Sequence, residues 1–186
     1  MAIKICVAGA TGWAGSAVVR GILGSSEYEL VGVIARQEVG KDIGEALGVG
    51  TAGVLIVATL EELAEKPDVL IDYTKPDSVK ARTAEALERG IRVVIGTSGL
   101  TAEDYREIDA QARRLGLGVI AAGNFSITAA LAKHFALVAA KYVPSWEIID
   151  YAHADKIDSP SGTTRELAEE LAEIAQNKLE VPIEET

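Results

Sequence analysis

"IKICVAGATGWAG", residues 3–15, decides the fold. An apolar, β-prone run from Ile3 to Ala8 meets Gly9, Gly12 and Gly15 at G-x-x-G-x-x-G spacing, and helical periodicity takes over at 13–23. A strand that turns through glycine into a helix gathers free N–H groups and the positive end of a helix dipole at one point. Small residues there let a phosphate approach the backbone. The stretch predicts a dinucleotide-binding turn, and the competing reading is a tight strand-to-helix turn with no ligand.

Outward from this stretch, short β-branched runs alternate with longer amphipathic segments. Strands are predicted at 3–9, 29–35, 54–58, 68–73, 92–96 and 118–123. Helices are predicted at 13–23, 76–89, 102–114 and 126–141, with a shorter helical turn at 60–65. Unbroken Val/Ile runs mark strands buried on both faces, as in parallel sheets. Their alternation with helices requires right-handed crossovers, hence an α/β, Rossmann-like doubly wound parallel sheet. Residues 36–53, punctuated by Gly40, Gly44, Gly48, Gly50 and Gly53, predict a long flexible connection.

After 126–141 the rhythm changes. "SWEIIDYAH" (145–153) reads as a strand and 163–176 as a helix. A boundary near residue 125 separates a dinucleotide-binding domain, 1–125, from the start of an α+β substrate and oligomerisation domain, 126–186. The one strand and one helix that follow 126–141 do not close a domain. These residues are expected either to dock on a partner chain or to belong to a longer sequence.

The net charge of −10 disfavours a nucleic-acid partner, whose phosphates demand clustered Lys and Arg. Cys6 is the only cysteine, which excludes an intramolecular disulfide and a thiolate metal cluster, and its apolar setting predicts a buried strand thiol. No metal site is expected. The N-terminus reads as a strand and not as a secretion signal, and no apolar run approaches the roughly 20 residues of a membrane span. The expectation is a cytoplasmic protein without a membrane partner.

In proteins that bind NAD, an acid about 20 residues past the glycine turn takes the ribose hydroxyls. Here Ala35 and Arg36 stand at that point. An Arg can pair with a 2′-phosphate that an acid would repel. The pattern favours NADPH, with NADH second; the alternative is a solvated loop cation. Three further strand ends, "DYTKP" (72–76), "GTSG" (96–99) and "AGNFS" (122–126), carry small polar residues at the carboxyl edge, where open sheets bind ligands.

The stretch "HADKIDSPSGTT" (153–164) is the remaining candidate. Its plain reading is a turn at Pro160 and Gly162, a capping box from Thr163 to Glu166, and a solvated Lys156. Its functional reading is an anion site. A helix N-terminus with Ser161, Gly162 and Thr163 suits a carboxylate, and His153 and Lys156 add positive charge and a proton source. His134, mid-helix, is expected to be structural.

Through "GATGWAG", "VLIDYTKPDS", "VVIGTSGL", "AAGNFSI" and above all "EIIDYAHADKIDSPSGTT", the sequence resembles the dihydrodipicolinate reductase family over its whole length. The resemblance implies a two-domain, usually tetrameric oxidoreductase of lysine and diaminopimelate biosynthesis. It would use NADPH or NADH to reduce the cyclic dicarboxylic imine derived from 4-hydroxytetrahydrodipicolinate to tetrahydrodipicolinate. By position, Gly9, Ala10, Thr11, Gly12, Trp13 and Ala14 would cradle the pyrophosphate, and Arg36 would read the adenosine ribose. Gly96, Thr97 and Ser98, with Ala122, Gly123, Asn124 and Phe125, would contact the nicotinamide half. Lys156 matches the family's proton donor and His153 a substrate ligand; Ser161, Gly162 and Thr163 fall in its carboxylate clamp.

Three positions depart from the family pattern. The first His of its usual pair is Ala152, its Arg beside the second glycine is Trp13, and its acid on the second strand is Ala35. Trp13 would either pack as a helix staple or face the cofactor. Family members also continue past residue 186. The competing readings are a related NADP-dependent imine or amino-acid dehydrogenase, which would account for Ala152, and a cofactor-binding module without chemistry.

Overall fold

The computed structural model describes residues 2–151 and 160–178. The chain divides into two compact units, Met1–Ala121 and Ala122–Thr186. The first unit carries strands β1 (Ile3–Ala8), β2 (Tyr28–Ile34), β3 (Ile56–Val57), β4 (Val69–Asp72), β5 (Arg92–Ile95) and β6 (Val119–Ala121). Between them run helices α1 (Trp13–Leu23), α2 (Ile43–Ala46), α3 (Pro76–Glu88) and α4 (Ala102–Leu115). The six strands form one sheet in the order β3-β2-β1-β4-β5-β6, every named pair parallel. The strands are added outward in one direction from β1 to β3 and in the other from β4 to β6, which makes the carboxyl ends of β1 and β4 the topological switch point.

Burial explains this architecture. Cys6, Val7 and Ala8 of β1 are fully buried, as the predicted thiol setting requires. One core lies around Cys6, Leu70, Val79, Leu87, Val93 and Ile95, the other around Val7, Val19, Val33, Ile43 and Ile56. A central sheet with apolar residues on both faces needs a helical layer on each, and α/β alternation supplies both.

The segment 36–53 is not the open connection its glycines suggest. It folds around Asp42, which caps α2 by accepting Gly44 N–H (2.8 Å) and Glu45 N–H (3.2 Å). The same carboxylate also accepts Ala52 N–H (2.9 Å) and Gly53 N–H (2.7 Å). These bonds, that from Ala52 foremost, hold the Asp42 carboxyl below its ordinary range. The glycines serve turns: Gly40, Gly48, Gly50 and Gly53 all take positive φ. The helical turn expected at 60–65 does not form: the chain makes a plain turn there, with Leu60 buried.

The second unit contains, among its described residues, helices α5 (Ile127–Ala139) and α6 (Gly162–Ile174). Residues 145–151 form no strand, contrary to their β-prone sequence. A strand needs a neighbour to bond with, and the segment instead bonds a side chain. Trp146 N–H donates to Asn177 Oδ1 (3.1 Å), and Asn177 Nδ2 donates to the Trp146 carbonyl (2.8 Å). His134 is exposed on α5, in edge contact with Phe135 at 5.7 Å, and not packed as a structural residue. Among the described residues, no helix is long and apolar enough to cross a membrane.

Candidate functional site

The glycine turn after β1 is built by the chain's own crowding. Gly9 adopts φ +80°, and a Cβ there would collide with the Tyr73 carbonyl; a Cβ at Gly15 would collide with the Gly9 carbonyl. These two glycines close the turn against β4 and seat α1 against the turn. A Cβ at Gly12 would meet one atom, the Gly9 carbonyl oxygen at 3.1 Å, a tight contact but well short of the collisions at Gly9 and Gly15. The N–H groups of Gly9 and Ala10 both donate to the Ile34 carbonyl (2.8 and 3.3 Å), and the Ala10 side chain is buried. The exposed part of the predicted cradle is therefore Thr11 to Ala14.

Gly12 is the N-cap of α1 and offers no side-chain acceptor, and the first turn holds no acid. The N–H groups of Trp13, Ala14 and Gly15 thus have no intrahelical acceptor and no cap, the arrangement that suits an anionic diphosphate. Trp13 is 96% exposed. That overturns the staple alternative, since a staple requires packing against a neighbour.

Across the switch point lies a polar node that sequence reading missed. Asp72, at the end of β4, is fully buried, and its Oδ2 pairs with Arg82 Nη1 at 2.8 Å. Its Oδ1 accepts Thr74 N–H (2.9 Å), Thr74 Oγ1 (2.6 Å) and Thr97 Oγ1 (3.1 Å). Arg82 also donates to Thr74 Oγ1 (2.9 Å), and Thr74 N–H to Thr97 Oγ1 (2.8 Å). One buried charge pair thus ties the loop after β4 to the loop after β5. The available signal was an Asp inside an apolar strand, "VLIDY", with an Arg ten residues on along α3.

This node changes the reading of Thr97. Its side chain is buried and committed to Asp72 and Thr74, which leaves its backbone for a ligand. A Cβ at Gly96 would collide with the Tyr73 ring, so that glycine is required by packing. The Tyr73 hydroxyl is pushed above its usual range by desolvation. Cys6 lies within the field of the same pair; burial drives its thiol up to about 12, with Arg82 opposing and Asp72 reinforcing. Arg36 follows the carboxyl end of β2, and its Nη2 lies 3.7 Å from Asp77 Oδ1 in the first turn of α3.

In the second unit, the loop 122–126 and the start of α6 come together. Thr163 Oγ1 donates to the Gly123 carbonyl at 3.4 Å, and Glu166 lies close to the Gly123 Cα. Asn124 and Ser126 shape the loop: Ser126 N–H donates to Asn124 Oδ1 (2.8 Å), and Ser126 caps α5. Ala122 is half-buried, and Phe125 is exposed.

The cap of α6 is Ser161, whose Oγ accepts Thr164 N–H at 3.3 Å, and not Thr163. The predicted capping box fails because the helix begins at Gly162, which puts Thr163 inside its first turn; Glu166 instead accepts Lys133 Nζ at 2.7 Å, as does Glu170. Both carboxylates hold the Lys133 ammonium above its ordinary range, Glu166 foremost. Asp150 Oδ2 accepts Ser161 N–H (2.7 Å), which fixes the entry to the helix. His153, Lys156 and the Ala152 position lie outside the described residues.

Residues 3–125 match the family described as "Dihydrodipicolinate reductase, N-terminus", and residues 125–185 match "Dihydrodipicolinate reductase, C-terminus". The chain belongs to the dihydrodipicolinate reductase family. Among its relatives, the 4-hydroxy-tetrahydrodipicolinate reductase of Moorella thermoacetica is 39% identical over 172 residues, covering 91% of this chain and 64% of the relative. That of Bacillus pumilus is 38% identical over 179 residues, covering 95% and 66%. A dipicolinate-bound dihydrodipicolinate reductase from a Paenisporosarcina species is 34% identical, with a TM-score of 0.76, covering all of this chain and 71% of that one. The chain thus spans just under two thirds of the length of these first two dihydrodipicolinate reductases.

Proposed function

We propose that this chain carries NAD(P)H-dependent reduction of the cyclic imine derived from 4-hydroxytetrahydrodipicolinate to tetrahydrodipicolinate, in lysine and diaminopimelate biosynthesis. The observation that carries the reading is the meeting of the loop 122–126 with the N-terminus of α6 through Gly123 and Thr163. A loop assigned to the nicotinamide and a helix end suited to a carboxylate are neighbours in one compact unit.

In this reading Thr11 to Ala14 hold the pyrophosphate with Gly9 and Ala10 shaping the turn. Arg36 takes the adenosine 2′-phosphate and makes NADPH the preferred cofactor. Gly96, Thr97 and Ser98, with Ala122, Gly123, Asn124 and Phe125, line the nicotinamide half. When bound, the reduced nicotinamide would supply hydride to the unsaturated ring of the cyclic imine. Ser161, Gly162 and Thr163 hold a substrate carboxylate, with His153 as a further substrate ligand. Lys156 supplies the proton that completes the reduction, and with Ala152 in place of a second His it does so without that partner. The relative's bound dipicolinate is a planar dicarboxylate of the kind this clamp would accept. A cytoplasmic homotetramer completes the reading.

The test is a fluorescence titration of NADPH with and without pyridine-2,6-dicarboxylate, alongside turnover of the cyclic imine. The reading expects NADPH to bind more tightly with the dicarboxylate present. It also expects Lys156→Ala to lower kcat on the order of 10²-fold or more, as loss of a general acid does. NADPH binding that ignores the dicarboxylate, together with no turnover, would refute it and favour a cofactor-binding module. Turnover of other imines or amino acids in place of this one would favour the related dehydrogenase.

A further inference from the structure

The pair between Arg36 and Asp77 bears on which dinucleotide the first unit selects. Arg36 leaves β2 and Asp77 follows β4, and in the sheet these two strands flank β1. The pair therefore bridges the carboxyl end of the strand that carries the glycine turn. Both side chains are about 70% exposed, at 70% and 68%, so neither is required to fill the core. No acid stands on β2 itself at this point, because that position is Ala35.

We infer that Asp77 is a specificity-determining residue that weakens the preference for a 2′-phosphorylated dinucleotide by holding Arg36. The inference rests on the assignment of Arg36 to the adenosine 2′-phosphate. A phosphate monoester carries roughly −1.5 to −2 charge at neutral pH. On arrival it competes with Asp77 for the Arg36 guanidinium and meets the Asp77 carboxylate as a like charge. A 2′-hydroxyl carries no charge and meets neither penalty. Asp77 thus supplies from α3 the discrimination that an acid on β2 supplies elsewhere, but only in part, since the Arg remains available.

The experiment is a set of NADPH and NADH titrations on the wild-type chain, Asp77→Asn, Arg36→Ala and the double variant, at low and high salt, with melting temperatures measured in parallel. Asp77→Asn is expected to tighten NADPH about two- to fivefold, the range an exposed ion pair supports, and to leave NADH within experimental scatter. The gain should shrink in the Arg36→Ala background and at high salt. Equal shifts for both cofactors would overturn the inference, because Asp77 would then act through the first turn of α3 alone. So would an unchanged NADPH affinity in Asp77→Asn while Arg36→Ala weakens NADPH selectively, which leaves the Arg36 assignment standing. If Arg36→Ala leaves NADPH binding intact, the assignment fails and the inference fails with it.

Discussion

Replacing Arg82 by Leu tests the buried node between β4 and β5. Asp72 is fully buried, and the Arg82 side chain is 18% exposed, so the substitution leaves a carboxylate without its counter-charge in a dry site. Breaking a buried pair by removing one partner costs about 3–5 kcal/mol. Asp72 keeps its bonds from Thr74 N–H, Thr74 Oγ1 and Thr97 Oγ1, which places the expected loss near the lower end, about 3 kcal/mol. For a chain of this size each kcal/mol moves Tm by about 2–4 °C, so a fall of roughly 6–12 °C is expected. Asp72→Asn should cost less, because the stranded guanidinium already has a path to water, and the double variant should be less destabilised than the sum of the two. Urea denaturation of the four proteins gives the coupling directly. If Arg82→Leu falls within about 0.5 kcal/mol of wild type, as an ordinary surface change does, the pair is not holding these loops together.

The glycine turn separates packing from binding: Gly15→Ala, whose Cβ would collide with the Gly9 oxygen, should unfold at markedly lower denaturant, whereas Gly12→Ala, at 3.1 Å from that oxygen, should lose far less stability and weaken NADPH binding in titration. Asp42→Asn should lower the melting temperature at neutral pH. Because the folded Asp42 carboxyl is held below its ordinary value, its contribution is present above the unfolded carboxylate range, near pH 4, and is lost as pH falls through the folded value. The wild-type advantage over Asp42→Asn should therefore disappear on acidification, measured by melting from pH 7 to pH 2. Cys6 is fully buried with its thiol driven up to about 12, so iodoacetamide at pH 8 should label it only after denaturation; rapid labelling of the native chain would contradict the buried β1.

Period and composition determined the fold by themselves. Buried parallel strands must read as unbroken β-branched runs, so all six strands and helices α1, α3 and α4 were legible from Ile3 to Ala121, as was the glycine turn into α1; α2 was not, because it lies in the glycine-rich stretch read as an open connection. Spacing also marked the loops at the carboxyl edge, because each follows a strand end. What depends on a distant partner was not legible. Asp72 finds Arg82 only when α3 packs beside β4, and Arg36 meets Asp77 only because β2 and β4 lie on either side of β1. The order of 36–53 comes from one carboxylate reaching N–H groups ten and eleven residues away. The cap of α6 is Ser161, one residue before the helix starts, with its N–H held by Asp150 eleven residues away, and 145–151 is no strand because its backbone meets Asn177 and not another strand. Local propensity sets which elements can form. Long-range contacts decide where each charge and hydrogen bond is spent.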